Sequence, residues 1–314
     1  MNLQQFRFVR EAVRRGLNLT ETAKALHTSQ PGVSKAILEL EEELGIDIFV
    51  RHGKRLRRVT EPGQLVLGAI EIILREVDNL RRIGDEYSMQ DSGTLSIATT
   101  HTQARYLLPG PVALLRRRFP NVRVVMHQGN PDQVAAMLLE GVADIGLATE
   151  SMDEHDELIT LPCYEWQHMI VCKPDHPLAV ETRPTLEQLA QVPLVSYHPT
   201  FTGRRRIDAA FAQRRLRPDI VLEAIDSDII KTYVRLGLGV GIVAEMAVRD
   251  DIAAGDLVMH PAGHLFGTNI SRVAFRRGAY LRHFVYTFAE LLSDRLTRAL
   301  IERAMAGGGA DYEL

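Results

Sequence analysis

Three short stretches gather hydroxyl and amide side chains where a strand hands over to a helix. They are "ATTHTQARY" (residues 98–106), "LATES" (147–151) and "FTGRRR" (201–206). Thr100, Thr102, Gln103, Thr149 and Thr202 would there lie beside the unpaired N–H groups that open a helix. That arrangement binds a small anion without a buried arginine. Each threonine taken alone reads as a helix cap. Convergence of all three stretches on one cleft is what argues for a ligand.

A second chemistry lies near the N-terminus, in "TAKALHTSQPGVSKAILELEEELG" (22–45). Two apolar-periodic runs flank the polar hinge "HTSQPG", the layout of a helix-turn-helix. Ser29 is a good N-cap and Pro31 suits the first turn of the second run, whose stripe Val33, Ile37, Leu40 and Leu44 faces inward and which Gly45 ends. Gln30, Ser34 and Lys35 then face outward, and Thr28, Ser29 and Pro31 border them; such side chains reach base edges and phosphates. In "RHGKRLRR" (51–58), five of eight residues are basic. A basic run can be a solvated loop, but a basic hairpin directly after a helix-turn-helix reads as a wing on the DNA backbone or minor groove, with Arg51, Lys54, Arg55 and Arg57 as contacts.

No enzyme motif competes. "GLGVGIVAE" has glycines at dinucleotide-site spacing, but it follows a helix and leads into a strand, so it reads as a helix end and a turn. No G-x-S-x-G is present. His260 and His264 in "HPAGH" have no third ligand nearby and read as a surface loop. Cys163 and Cys172 read as small buried hydrophobes. Neither a cofactor nor a metal is expected.

The elements must position these groups. Leu3, Phe6, Val9 and Val13 predict a first helix, and Thr20 is the expected N-cap of the next. From residue 61 a long helical run carries Val66, Ile70, Ile73, Val77 and Leu80 at 4-3-4-3 spacing, a coiled-coil seam, with Leu67 and Leu74 off it. It reads as a single core helix or, better for a bridge between domains, as a dimerisation arm. Beyond "QDSGT" the strands "TLSIATT", "VRVVMHQG", "ADIGLATE", "HMIVCKP", "PLVSY", "IVLEAID", "GVGIVAE" and "RVAFRR" alternate with helices near 103–119, 132–141, 203–215, 227–236 and 280–305. Alternation predicts α/β halves with largely parallel sheets and a cleft between them. The expected division is a winged helix-turn-helix at 1–60, a linker helix at 61–91 and a body at 92–314. The body divides into 92–163 with 268–314, and 164–267; the tail from Gly307 reads as frayed.

Composition agrees. The 314 residues are 46% hydrophobic and 25% charged, ordinary for a well-cored chain of two or three domains. No apolar run is long enough for a membrane span, the N-terminus lacks the apolar core of a signal peptide, and two free thiols suit a reducing compartment; a cytoplasmic protein is expected. Residues 1–60 hold 11 Lys and Arg against 7 Asp and Glu, while the remainder holds 26 against 33. A basic head on an acidic body reconciles DNA binding with a net charge of −3.

The stretch "LHTSQPGVSKAILELEEELGIDIFVRHGKRLRRVTEPGQ" resembles the DNA-binding head of the LysR-type transcriptional regulators, and the likeness runs through nearly the whole chain. "ATTHTQARYLLP", "LPCYEW", "PDHPL", "FTGR" and "IKTYVRLGLGVGIVAEMAV" are similar to that family's branch of sulfur-assimilation regulators. The resemblance implies a winged helix, a linker helix and two subdomains like those of periplasmic binding proteins. It implies a homotetramer, a dimer of dimers, that binds promoter DNA, works with RNA polymerase and activates sulfate-uptake and cysteine-biosynthesis genes. The implied effector is N-acetylserine or O-acetylserine, opposed by sulfide or thiosulfate, or adenosine phosphosulfate in a related regulator. By position, effector and sulfate contacts fall on Thr100, Thr102, Gln103, Thr149 and Thr202, with Trp166 in the pocket wall. The tail after Arg303 departs from the enteric members. Rival readings are a solute-binding module or enzyme using the body alone, and a repressor.

Overall fold

A computed structural model of the chain describes residues 1–53, 55–88, 92–248 and 255–308, with backbone alone at 150, 151 and 202. Lys54 and the tail from 309 therefore lie outside the described residues. The chain divides into two compact units, Met1–Gly84 and Asp85–Leu314.

The head begins with α1 (Leu3–Arg14), α2 (Leu19–Ala25) and α3 (Gln30–Leu44). Asn2 caps α1 in a reciprocal box with Gln5. The α2 cap is Asn18 rather than Thr20: its side-chain oxygen accepts from Thr20 N and Glu21 N at 3.0 and 3.2 Å. The helix therefore starts at Leu19, which is buried. Ser29 caps α3, Pro31 sits in its first turn, and Gly45 ends it at φ +68°, a left-handed conformation that glycine adopts without strain. Strands β1 (Phe49–His52) and β2 (Arg55–Val59) form an antiparallel hairpin, and α4 (Glu61–Ser88) follows. Val33, Ile37 and Leu40 pack with Phe8, Val9, Ile48, Phe49 and Leu56 in one core, with Leu44 half-buried at its edge.

That core also takes the first turns of α4. Ile70, assigned to the coiled-coil seam by spacing, is buried inside the head together with Leu74. Val66 and Val77 are half-buried. The large apolar side chains left exposed along the helix are Leu65, Ile72, Ile73, Leu80 and Tyr87. Of the expected seam, Ile70 thus faces the head's own core, while Ile73 and Leu80 remain exposed.

The body comprises β3 (Ser92–Thr99), α5 (His101–Tyr106), α6 (Pro109–Arg118), β4 (Asn121–Gln128), α7 (Pro131–Leu139), β5 (Ile145–Thr149), β6 (Leu158–Cys172), α8 (Leu186–Leu189) and β7 (Pro193–Tyr197). It continues with α9 (Thr202–Gln213), β8 (Asp219–Ala224), α10 (Ser227–Arg235), β9 (Val240–Ala244), β10 (Val258–Pro261), α11 (Gly263–Phe266), β11 (Thr268–Arg276), α12 (His283–Leu292) and α13 (Arg298–Met305). The strands run in the order β4-β3-β5-β11-β6-β9-β7-β8, with β10 also on β6.

Among the described residues, parallel pairing is confined to β3 with β4 and β5, and β7 with β8 and β9. The remaining pairs are antiparallel, so the sheets are mixed rather than largely parallel. The reason is the double crossing: β6 carries the chain out of the first half and β11 brings it back, and each must run against its neighbours. Leu158–Gln167 of β6 pairs with β11 and His168–Cys172 with β9 and β10, so the crossover lies at 167/168, beyond the expected 163. The single helix expected at 103–119 is two, because Pro109 has no N–H to extend α5 and instead opens α6. Likewise 280–305 breaks before Thr297, which caps α13. His260 is buried in β10, and His264 Nε2 lies 2.9 Å from the Pro184 carbonyl, so "HPAGH" is not a surface loop. Each half has its own core, around Leu95, Ile97, Phe275 and Phe288 in the first and Ile170, Leu194, Phe211 and Ile242 in the second.

Candidate DNA interface and effector cavity

In the head, α3 turns Lys35 fully outward, 3.6 Å from Glu39, and leaves Gln30 and Ser34 half-buried beside it. Thr28, Ser29 and Pro31 are exposed at the same end, although the Ser29 hydroxyl also accepts from Gly32 N at 3.3 Å. In the hairpin, Leu56 points into the core while Arg55, Arg57 and Arg58 are exposed. Arg58 extends the basic set beyond the four residues expected.

Arg51 behaves differently. Its guanidinium lies 2.8 Å from Glu41, which is buried. The other Glu41 oxygen accepts from Ile48 N and Phe49 N at 2.9 and 3.0 Å. Arg51 is thereby a fastener of α3 to the hairpin rather than a free cation for phosphate. Sequence reasoning missed Glu41, though a signal existed: it falls four residues after Ile37, on the buried stripe.

In the body, Thr100, Thr102, Gln103, Thr149 and Trp166 line one cavity, with Pro131, Tyr197, Phe201, Gly203, Ala244 and Met246. Strand ends β5, β7 and β9 deliver Thr149, Tyr197 and Ala244 to it, as expected of an α/β crevice. That same rule could have nominated Tyr197 and Ala244. The Thr202 side chain lies outside the described residues; its backbone opens α9. Gly203 is required there, because a Cβ would meet His168 Nε2 at 2.9 Å and the Trp166 ring at 3.4 Å.

Thr100 and Thr149 occupy N-cap positions, are buried, and make no side-chain cap bond. The cap reading therefore does not account for either hydroxyl. Gln103 is held from below: its amide nitrogen donates to Ser271 Oγ at 3.1 Å, and its oxygen lies 3.4 Å from Thr99 Oγ1. Thr102 Oγ1 lies 3.4 Å from Ser227 Oγ, which is 2.6 Å from the Tyr197 hydroxyl; that hydroxyl accepts from Ala244 N. A second link between the halves runs from the Tyr106 hydroxyl, which donates to Asp228 at 2.5 Å and accepts from buried Lys231 at 3.1 Å. Arg105 flanks the same carboxylate at 2.8 Å. No charged side chain lines the cavity among the described residues, so hydroxyl and amide dipoles would hold an anion. Burial pushes the Cys163 and Cys172 thiols up to about 12 and about 11, in keeping with inert core residues.

Residues 3–64 match the model of the bacterial regulatory helix-turn-helix protein, lysR family, and residues 88–297 the LysR substrate binding domain. The chain belongs to the LysR family of transcriptional regulators. It is 57% identical over 314 residues, all of both chains, to the HTH-type transcriptional regulator CysB of Burkholderia cenocepacia. It is 47% identical over 303 residues, 96% of each chain, to the regulator cbl of Escherichia coli. Among solved structures, the cofactor-binding domain of the Cbl transcriptional regulator is 43% identical and superposes with a TM-score of 0.65, covering 68% of this chain and 93% of that one. This LysR-family chain is a DNA-binding regulator and not an enzyme, and the match at 3–64 sets aside a solute-binding module without DNA function. No described helix is long and apolar enough to cross a membrane.

Proposed function

We propose that this regulator activates sulfate-assimilation and cysteine-biosynthesis genes from the cytoplasm, switched by a small anionic effector of the acetylserine class. The observation that carries the effector reading is the pair Thr100 and Thr149: buried hydroxyls at cap positions, spared from capping, beside a cavity without charge. The 57% identity to a CysB supports the gene class. The 47% identity to a cbl favours, as second reading, a response to adenosine phosphosulfate. Gln30, Ser34 and Lys35 would read bases, with Thr28, Ser29, Pro31 and the wing residues Lys54, Arg55 and Arg57 on the backbone. Leu65, Ile72, Ile73 and Leu80, exposed on α4, would pair two chains, and two such dimers would form the tetramer that contacts RNA polymerase.

Calorimetric titration and promoter footprinting test the reading. N-acetylserine should bind the full-length protein and alter its footprint on a cysteine-biosynthesis promoter. Thr149→Val keeps the shape and removes one donor to a charged ligand, worth roughly 1.5–3 kcal/mol, so effector binding should weaken about 10- to 100-fold. If N-acetylserine, adenosine phosphosulfate and sulfate all fail to bind the unaltered protein, the effector reading falls.

A further inference from the structure

Helix α3 leaves one large apolar side chain in water. Leu38 is 49% exposed, while Val33, Ile37, Leu40 and Leu44 of the same helix are buried or half-buried. A lone exposed leucine is ordinary on a protein surface; the position of this one is not. It stands one turn beyond Ser34 and three residues beyond Lys35, so it shares their side of the helix, away from the buried stripe. From Gln30 to Leu38 the helix rises about 12 Å, close to the roughly 12 Å width of a major groove.

Charge along α3 changes directly after Leu38. Before it come Gln30, Pro31, Ser34 and Lys35, none of them acidic; after it come Glu39, Glu42 and Glu43, all exposed. Lys35 lies 3.6 Å from Glu39, and the N-terminal amine of Met1 donates to Glu43. An acidic turn repels phosphates, so an α3 lying in the groove has Leu38 as its last contact with the bases.

Leucine neither donates nor accepts a hydrogen bond. Set against a base amine or carbonyl it would strip that group of water and return nothing. The apolar feature that a base pair shows in the major groove is the 5-methyl group of thymine. Resting on the base-reading role proposed above for α3, we infer that Leu38 packs on the 5-methyl group of a thymine and so fixes sequence preference at the far end of the helix. Gln30 and Ser34 read polar edges at one end of the contact, and Leu38 reads a methyl at the other.

The test follows the full-length protein by fluorescence anisotropy on the duplex that it selects most often from a random pool. Single thymines are replaced in turn by uracil, which lacks only the methyl. One replacement, or its mate in a symmetric site, should weaken binding about fourfold, the worth of one buried methyl. Leu38→Ala should bind the thymine and uracil versions of that position equally, and Leu38→Met, which keeps an apolar end, should restore the preference. Leu38 is exposed, so both variants should melt with the unaltered protein. An unaltered protein indifferent to every uracil, or a Leu38→Ala variant that keeps its thymine preference, would overturn the inference. So would a changed mass of Leu38→Ala in sedimentation, which would put Leu38 at a contact between copies. Gln30→Ala on the same duplexes separates the two levels. Full cognate discrimination by that variant would remove base reading by α3 and this inference with it, whereas failure of the uracil series alone leaves the base-reading role intact.

Discussion

In the head, Gln30, Ser34 and Lys35 leave the surface of α3 above an apolar core; in the body, Thr100, Gln103 and Thr149 are themselves sealed within the protein. The head can present polar groups openly because its ligand would bring its own large surface and high charge. The body buries them, and holding the proposed small anion would require such fixed dipoles where water is excluded. The consequence is a division of labour between side chains. The head needs one hidden fastener, Glu41 with Arg51, to keep an exposed face rigid. The body needs whole chains of hidden bonds, such as Thr102–Ser227–Tyr197, to keep its cavity shaped across two halves.

The strongest way to break this contrast is to remove the head's fastener. Glu41→Ala would orphan the Ile48 and Phe49 N–H groups and leave the Arg51 guanidinium, largely buried, without its partner. Breaking a buried pair from one side costs about 3–5 kcal/mol. Thermal unfolding should show that loss in the head, and promoter binding should fail. Effector binding by the body should persist, measured by the same calorimetry. A variant that keeps full promoter affinity would mean the hairpin holds without α3.

A milder probe addresses the body. His168 is fully buried, its ring edge-on to Trp166 at 5.0 Å and to Phe266 at 5.6 Å, and burial pushes its pKa down to about 3. An unfolded histidine takes up its proton near pH 6.5, so between those values the unfolded chain binds a proton that the folded one refuses. Stability from this group is therefore complete above pH 6.5 and is lost as pH falls, by about 2 kcal/mol at pH 5. His168→Gln retains an acceptor for Asn269 Nδ2, which lies 3.3 Å from His168 Nδ1, and should flatten the decline in melting temperature between pH 7 and 5. An unchanged slope would place the proton uptake elsewhere.

What could be read from the chain follows the same division. Head elements depend on near neighbours: Ser29 before Pro31, the stripe Val33–Ile37–Leu40, and Gly45 after it are all local signals, and they place α3 correctly. Apart from the α2 cap, a local choice between Asn18 and Thr20, the head residues that were misread have distant partners, as with Arg51 and Glu41 ten positions apart. In the body, short strands such as Pro193–Tyr197 were legible from composition. The fifteen-residue β6 was not, because its first ten residues are a strand only by virtue of β11, about a hundred residues later. Thr100 and Thr149 stood out because hydroxyls precede helices there. Met246 and Phe201 carry no such mark; only the strand order brings them to the cavity.

The smallest expected effect separates two kinds of exposed residue within the head. Gln30 sits at the start of α3; on the proposed base-reading assignment, Gln30→Ala should cost about 1 kcal/mol or more of discrimination between cognate and unrelated DNA. Arg57 lies on the exposed face of β2, opposite in direction to buried Leu56, and offers a charge without a base-reading geometry. Each phosphate neutralised releases condensed counterions, so losing one such contact should lower the slope of log K against log salt by about 0.9. Arg57→Ala should therefore weaken cognate and unrelated DNA alike, visibly at low salt and barely at high salt. Fluorescence anisotropy on both duplexes across a salt series measures the slope and the ratio of affinities together. A fall in the ratio with an unchanged slope would move Arg57 from the backbone to the bases, and the wing would then belong with α3 as a reader of sequence.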